Sequence, residues 1–371
     1  MRAFLLIFLV AAAVTYLLTV VAREIALRTG AVARVRDRDV HDEPIPYMGG
    51  VAMYGGLLAA FLVARQVPFV SNSTFTIHDA GAVLIAGAVI CLVGVVDDIF
   101  EIDALTKLGG QVIAVAILIR LGIQYYWFPT GGQGQLSLDP TQGALLTGLM
   151  VIATVNAVNF IDGLDGLAAG VVGIGALAFF TFSYTLSRVN DLALASAPPL
   201  LSIALAGACA GFLVHNWNPA RLFMGDSGSM LIGLVLSASA INLSGQFTAG
   251  QLSQGAAGSQ SSLLPTFLPL ALPLLILIVP LADLVLAVVR RTRAGRSPFA
   301  PDKQHLHHRL LEIGHSQRRA VLIMWLWAAL IAFGSAFASL FAGPLMWTVL
   351  AAGLAVTLAL TFVVPRIDAG P

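Results

Sequence analysis

The chain has 371 residues, of which 58% are hydrophobic and only 11% charged, and its formal net charge is +1. Soluble domains carry about 25% charged residues, so a water-soluble globule is excluded, and the near-neutral balance leaves no electrostatic footprint for nucleic acid. The two cysteines, Cys91 and Cys209, lie in apolar runs, form neither a zinc pattern nor a disulfide framework, and read as small buried hydrophobes.

A hydrocarbon core about 30 Å thick needs roughly 20 apolar residues per helix. In chain order the candidate spans are 3–22, 49–65, 80–96, 107–122, 143–159, 166–187, 197–214, 227–244, 266–289, 320–340 and 344–364. The first is too long for the apolar core of a secretory signal, and charged residues follow it where a small-residue cleavage site would be, so it reads as an uncleaved span. The stretch 245–262, rich in Gly, Ser, Gln and Ala, reads as a loop. No internal repeat or separate soluble domain is evident. The expectation is an all-α, polytopic integral membrane protein of about 11 transmembrane helices, with residues 1–371 forming a single transmembrane domain.

Lys and Arg set the orientation. With each loop numbered by the span it follows, only Arg2, Arg65, Arg120 and Arg188 of the 20 basic residues fall on the face of the N-terminus and the even-numbered loops. The odd-numbered loops are therefore expected to be cytoplasmic, with the N-terminus outside and the C-terminus inside. Asp97, Asp98, Glu101, Asp103, Asp162, Asp165, Asp226, Asp302 and Glu312 share those loops. The positive-inside rule does not account for them, because it is not a net-charge rule. Carboxylates and histidines gathered among basic residues on one face point to a metal and a phosphorylated substrate, with working loops at about 23–48, 97–107, 159–166, 215–228 and 290–319.

Five constellations carry the chemistry. At the inner end of the third span, Asp97 and Asp98 are adjacent carboxylates that repel one another and are costly to desolvate, penalties that a nearby cation relieves. Ten residues beyond Asp97, Lys107 places an ammonium within reach of a phosphate, although a snorkelling interfacial lysine looks the same. Between the fifth and sixth spans runs Asn156-Ala157-Val158-Asn159-Phe160-Ile161-Asp162-Gly163-Leu164-Asp165-Gly166. Its Asn159 and Asp162 are hard oxygen ligands suited to Mg²⁺, while Asn, Asp and Gly are also ordinary turn residues.

The third constellation is Phe223-Met224-Gly225-Asp226-Ser227-Gly228-Ser229, opening the eighth span. Asp226 there is either a helix cap or a carboxylate facing a metal. The embedded G-x-S-G also occurs in intramembrane serine proteases, but no later span contains the histidine base that chemistry requires. The fourth, Pro301-Asp302-Lys303-Gln304-His305-Leu306-His307-His308-Arg309, supplies imidazole and guanidinium donors. These suit a pyrophosphate or sugar better than zinc, because no cysteine or nearby triad completes a tetrahedral site. The fifth, 41–50, combines prolines that stiffen the entry to the second span with Gly49 and Gly50, which allow close packing. Asp283, inside the ninth span, is expensive in a membrane and reads either as a structural pair with Arg290 or a histidine or as a catalytic group.

On these motifs, running from Asp39 to Arg319, the chain resembles the polyprenyl-phosphate hexose-1-phosphate transferase superfamily, which includes N-acetylglucosamine-1-phosphate transferases and the phospho-MurNAc-pentapeptide translocase. His305-Leu306-His307-His308-Arg309 is similar to the N-acetylglucosamine branch. Arg291-Thr292-Arg293-Ala294-Gly295-Arg296-Ser297 and an eleventh span resemble actinobacterial members that use decaprenyl phosphate, in which arginine often stands at the place of Tyr47.

The resemblance implies transfer of GlcNAc-1-phosphate from UDP-GlcNAc to a polyprenyl phosphate with Mg²⁺, for which Mn²⁺ is an expected substitute. This would be the first membrane step of a cell-wall polysaccharide, on the cytoplasmic face of the plasma membrane. It also implies Asp226 as first metal ligand beside Asn159, Asp97 as base or orienting group supported by Asp98, and Lys107 on phosphate. Asp165 would face the uracil and Asp162 the nucleotide or metal region, while His305, His307, His308 and Arg309 would grip the pyrophosphate and sugar. A homodimer is expected from the same resemblance. The alternatives are another UDP-sugar, such as UDP-MurNAc-pentapeptide, and a transporter. The placement of carboxylates at loop ends and the lack of an inverted repeat argue against the transporter.

Overall fold

The computed structural model describes residues 1–30, 32, 45–131, 134–189, 196–246, 263–276, 278, 292–293, 315–341 and 343–362. Helices occupy the described part of every predicted span. They are α1 (Arg2–Thr29), α2 (Gly49–Ala64), a one-turn α3 (Pro68–Ser71), α4 (Thr74–Phe100), α5 (Ala104–Arg120), α6 (Pro140–Ile161), α7 (Leu167–Val189), α8 (Ala197–Asn216), α9 (Gly225–Gln246), α10 (Leu263–Ile276), α11 (Gln317–Leu340) and α12 (Pro344–Phe362). Eight of these are by themselves long and apolar enough to cross a bilayer, whereas α2, α5 and the described part of α10 are shorter. The chain is an all-α polytopic membrane protein.

Helix ends follow local chemistry. α4 starts six residues before the predicted span because Ser73 caps it, its hydroxyl accepting from the Thr76 amide at 3.3 Å. α6 begins with a capping box, in which Asp139 accepts from the Thr141 and Gln142 amides and the Gln142 side chain answers the Asp139 amide.

Between α5 and α6, where the sequence reading had only a loop, Trp127–Gly131 (β1) and Gly134–Ser137 (β2) pair antiparallel. Trp127 is buried against the far end of α9, donating its indole N–H to the Ser244 carbonyl at 2.8 Å. Four- and five-residue strands are too short for alternation to stand out in the sequence.

α9 forms the axis of the molecule. It is buried almost all round, packed by α2, α4, α6, α7, α8 and α10, while α12 lies on the periphery against α11. Lipid tails are as apolar as leucine, so helices in a bilayer associate through close backbone approach at small residues. α9 carries such residues along its length, and at Gly233 an added Cβ would lie 2.8 Å from the Val155 Cα of α6. α1 is held in the same way: Gly56 of α2 abuts Thr15, and Gly207 and Gly211 of α8 abut the backbone at Phe8 and Ala12.

Candidate active site

Four helix ends converge at one end of the bundle: the C-termini of α4 and α6 and the N-termini of α5 and α9. The turn from α4 to α5 is closed by Glu101 in the left-handed region (φ 49°) and by Asp103, which caps α5 by accepting from the Leu105 and Thr106 amides at 3.0 and 3.1 Å. Hydrogen bonds from Thr106 hold the Asp103 carboxyl below the usual carboxylate range. That cap sets Lys107 in the first turn of α5, facing back toward the end of α4.

The Lys107 ammonium lies 3.3 Å from Asp97 Oδ2 and forms an ion pair with Asp226 Oδ2. Asn159, near the end of α6, donates from Nδ2 to Asp226 Oδ1 at 2.7 Å and to Ser229 Oγ at 2.9 Å. Asp97, Lys107 and Asp226 are each partly exposed, with side-chain exposures of 16%, 18% and 23%, although Asp226 Oδ2 itself is covered.

Asp98 points differently. Both its oxygens are engaged by the start of α9, Oδ1 accepting from the Asp226 amide at 2.7 Å and Oδ2 from the Ser227 amide at 3.2 Å. It is the cap of α9, supplied from another helix. Gly225 opens α9 at φ 70°, where a Cβ would come within 2.5 Å of the Asp98 carboxylate. The entry loop pairs with the same strand of chain: Gly49 and Gly50 donate to the Phe223 and Met224 carbonyls, and Phe223 donates to Pro46. Asp226 is thereby held by α4, α6 and the entry to α2 at once.

Asp162, just past α6, is half-buried. Burial first, then the charges of Asp98 and Asp165, push its carboxyl up to about 7. Asp165 is 2% exposed, and its Oδ2 accepts from Asn218 Nδ2 at 2.9 Å and from the Ala220 amide at 3.0 Å. The neighbouring Gly166 amide donates to Asn216 Oδ1 at 2.9 Å, and the Gly166 carbonyl accepts from Trp325 Nε1 at 3.2 Å. Asn218 also reaches Gln317 Oε1 at 2.8 Å. These bonds tie the Asp-Gly loop to the 216–222 segment and to the start of α11. The sequence reading did not single out Asn216 and Asn218; their signal was the His215-Asn216-Trp217-Asn218-Pro219 run just ahead of the Asp226 motif.

The structure thus brings together Asp97, Asp98, Lys107, Asn159 and Asp226, with Asp162 and Asp165 on the adjoining loop. His305, His307, His308, Arg309 and Asp283 lie outside the described residues.

Among the described residues no three His, Cys, Asp or Glu side chains form a metal cage. Mg²⁺ does not need one, because it binds through one or two carboxylates and completes its octahedron with waters and substrate phosphates. Asp97 and Asp226 already share one cation, the Lys107 ammonium, and the Asn159 amide lies beside them. The carboxylate oxygens of Asp97 and Asp226 fit Mg²⁺ as one or two protein ligands, and Asn159, which donates to Asp226 through Nδ2, would have to turn its Oδ1 inward to join them.

A cluster of carboxylates, one lysine and helix termini at one end of a membrane helix bundle has the groups that an enzyme site for phosphorylated substrates requires. The glycosyl transferase family 4 model matches residues 80–244, which contain every element of this cluster. The chain is 45% identical, over its whole length and 90% of the relative's, to decaprenyl-phosphate N-acetylglucosaminephosphotransferase of Mycolicibacterium smegmatis. It is 46% identical over 93% of its length and 84% of the relative's to the protein of that name from Mycobacterium tuberculosis H37Rv. It is 30% identical, over 86% of its length and 80% of the relative's, to a probable undecaprenyl-phosphate N-acetylglucosaminyl 1-phosphate transferase of Bacillus subtilis. The chain belongs to glycosyl transferase family 4, in the branch of polyprenyl-phosphate N-acetylglucosamine-1-phosphate transferases.

Proposed function

We propose that the protein transfers GlcNAc-1-phosphate from UDP-GlcNAc to a polyprenyl phosphate, decaprenyl phosphate being the first choice, to give GlcNAc-diphospho-polyprenol and UMP. The observation that carries this reading is the convergence of Lys107, Asp97, Asn159 and Asp226 from four helix ends. The relatives' names supply the substrates.

An oxygen of the lipid phosphate attacks the phosphorus that bears the sugar, and the bond to the UMP phosphate breaks. Such transfers need chiefly positioning and charge neutralisation. Lys107 neutralises phosphate oxygens as they move through the transition state. Asp226 and Asn159 would hold Mg²⁺, which when bound neutralises the diphosphate and the departing UMP. A phosphate with a second pKa near ~6 is mostly dianionic at pH 7, so Asp97 acts by orienting the lipid phosphate and takes a proton only from the remaining monoanion. Asp98 positions Asp226 through the α9 amides. Asp162 and Asp165 line the loop assigned to the nucleotide, with Asp165 also anchoring it. His305, His307, His308 and Arg309 are assigned to the pyrophosphate and sugar. The positive-inside bias supports a site at the cytoplasmic surface, where the lipid phosphate would emerge from the bilayer.

The direct test is purified protein in detergent with decaprenyl phosphate, Mg²⁺ and labelled UDP-GlcNAc, following label into the organic phase alongside UMP. Labelled lipid that disappears with EDTA is expected. Failure with this donor but success with UDP-MurNAc-pentapeptide would move the assignment to the sister reaction. Asp97→Asn is expected to lower turnover by about 10²-fold, the usual size of a general acid–base or orienting contribution. Near-normal rates with that variant would remove Asp97 from the mechanism.

A further inference from the structure

We infer that Gln111 and Asn156 are positioning residues that hold α5, α6 and α9 at the rotation and depth where Lys107, Asn159 and Asp226 meet. The inference rests on the transferase reading above. Gln111 is 1% exposed, and the two side chains bond reciprocally: Asn156 Nδ2 donates to Gln111 Oε1 at 2.7 Å and Gln111 Nε2 to Asn156 Oδ1 at 3.3 Å. Gln111 Nε2 also approaches Met230 Sδ at 3.5 Å, and Asn156 Nδ2 donates to the Ile152 carbonyl of its own helix at 2.8 Å.

The spacing ties this layer to the site. Gln111 follows Lys107 by four residues on α5, and Met230 follows Asp226 by four on α9. Asn156 precedes Asn159 by three on α6, which runs the opposite way. Each step is one helical turn, about 5–6 Å, on the same helix face and away from the site end. The three helices that carry the cation-and-carboxylate layer therefore meet again one turn deeper in an amide layer. Small-residue contacts set how closely the helices pack, and a two-bonded amide pair adds direction, because it is satisfied only near one rotation and one axial offset. Neither amide touches the Lys107–Asp226 pair, so their effect on transfer passes through helix setting.

The test replaces the pair by apolar residues of similar size, Gln111→Met with Asn156→Leu. If the pair only adds stability, the variant turns over normally per folded molecule. Exchanging both partners of a hydrogen bond for apolar groups of similar size is close to neutral for stability, so the thermal midpoint in detergent is expected to stay near that of the unaltered protein. A displacement of about 1 Å at a reacting centre costs about 10²-fold, so kcat is expected to fall by about 10–100-fold with KM for UDP-GlcNAc changing less. A folded double variant with normal kcat would overturn the inference. Gln111→Met alone leaves Asn156 Nδ2 its bond to the Ile152 carbonyl, and it carries the same expectation and refutation should the double variant not fold.

A second readout needs no activity. With Lys107→Cys and Asp226→Cys in place, a short bis-methanethiosulfonate, which forms a disulfide with each thiol and releases methanesulfinate, reports their proximity, the native Cys91 and Cys209 being buried. The cross-link yield is expected to drop severalfold when the apolar pair is added, and an unchanged yield would also refute the positioning role. If the unaltered protein transfers no sugar phosphate at all, the transferase reading fails, and the cross-link alone decides whether the amide layer sets the helices.

Discussion

Asp226→Ala is expected to reduce transfer by about 10³-fold or more, the scale of losing a group that neutralises developing charge in a preorganised site. Three features concentrate the effect on this carboxylate. It meets the Lys107 ammonium, it accepts from Asn159, and it stands in the first turn of α9, where the helix dipole favours negative charge. Removing it also leaves Lys107 paired with Asp97 alone, which pulls the ammonium away from the shared position. The α9 cap survives, because Asp98 bonds the backbone amides of residues 226 and 227 and not the Asp226 side chain. The variant should therefore purify as a folded protein. Initial rates of labelled-lipid formation, with a thermal scan of the same sample, check both halves. A folded variant that keeps more than about a tenth of the rate would show that Asp226 does not hold the charge-neutralising group.

The second large effect is on folding. Gly50 of α2 and Gly94 of α4 both lie against the backbone of Ser227, and Gly50 against Gly228 as well. A methyl at either place meets main-chain atoms, which cannot rotate aside as a side chain would. Overpacking of this kind commonly costs about 1–3 kcal/mol, and two backbones facing each other put Gly50→Ala and Gly94→Ala at the upper end. Both variants are expected to lower the thermal midpoint sharply, and any folded fraction should lose transfer activity because α9 is displaced where it carries Asp226. Gly109→Ala on α5 is the control, since nothing lies within 4 Å of its added Cβ. Normal stability and rate in Gly94→Ala would mean that the contact between α4 and α9 yields more readily than its geometry implies.

Much of the molecule was legible in the chain. Runs of apolar residues place helices because a bilayer leaves the backbone few other ways to satisfy its hydrogen bonds. Asp97, Asp98, Lys107, Asn159 and Asp226 were recognisable because charged and amide groups at span ends are costly unless they serve a ligand. Other features were not legible. Asp97 and Asp98 look alike in sequence, yet one faces the shared cation and the other caps a distant helix. Their helical phase differs by about 100°, and only the position of α9 decides which face matters. Asn216 and Asn218 read as turn residues, and their value appears only when the Asp165 loop folds against them.

The sequence by itself determined the membrane class, the helical positions, the residue types of the site and the family, because composition, hydrophobic length and short motifs are local properties of the chain. The tertiary structure alone decided that four helix ends meet at one point, that Asp98 serves α9, and that Gln111 and Asn156 pair one turn below. These depend on the relative rotation and depth of helices far apart in sequence, which close glycine contacts and directional hydrogen bonds set only once the bundle has assembled.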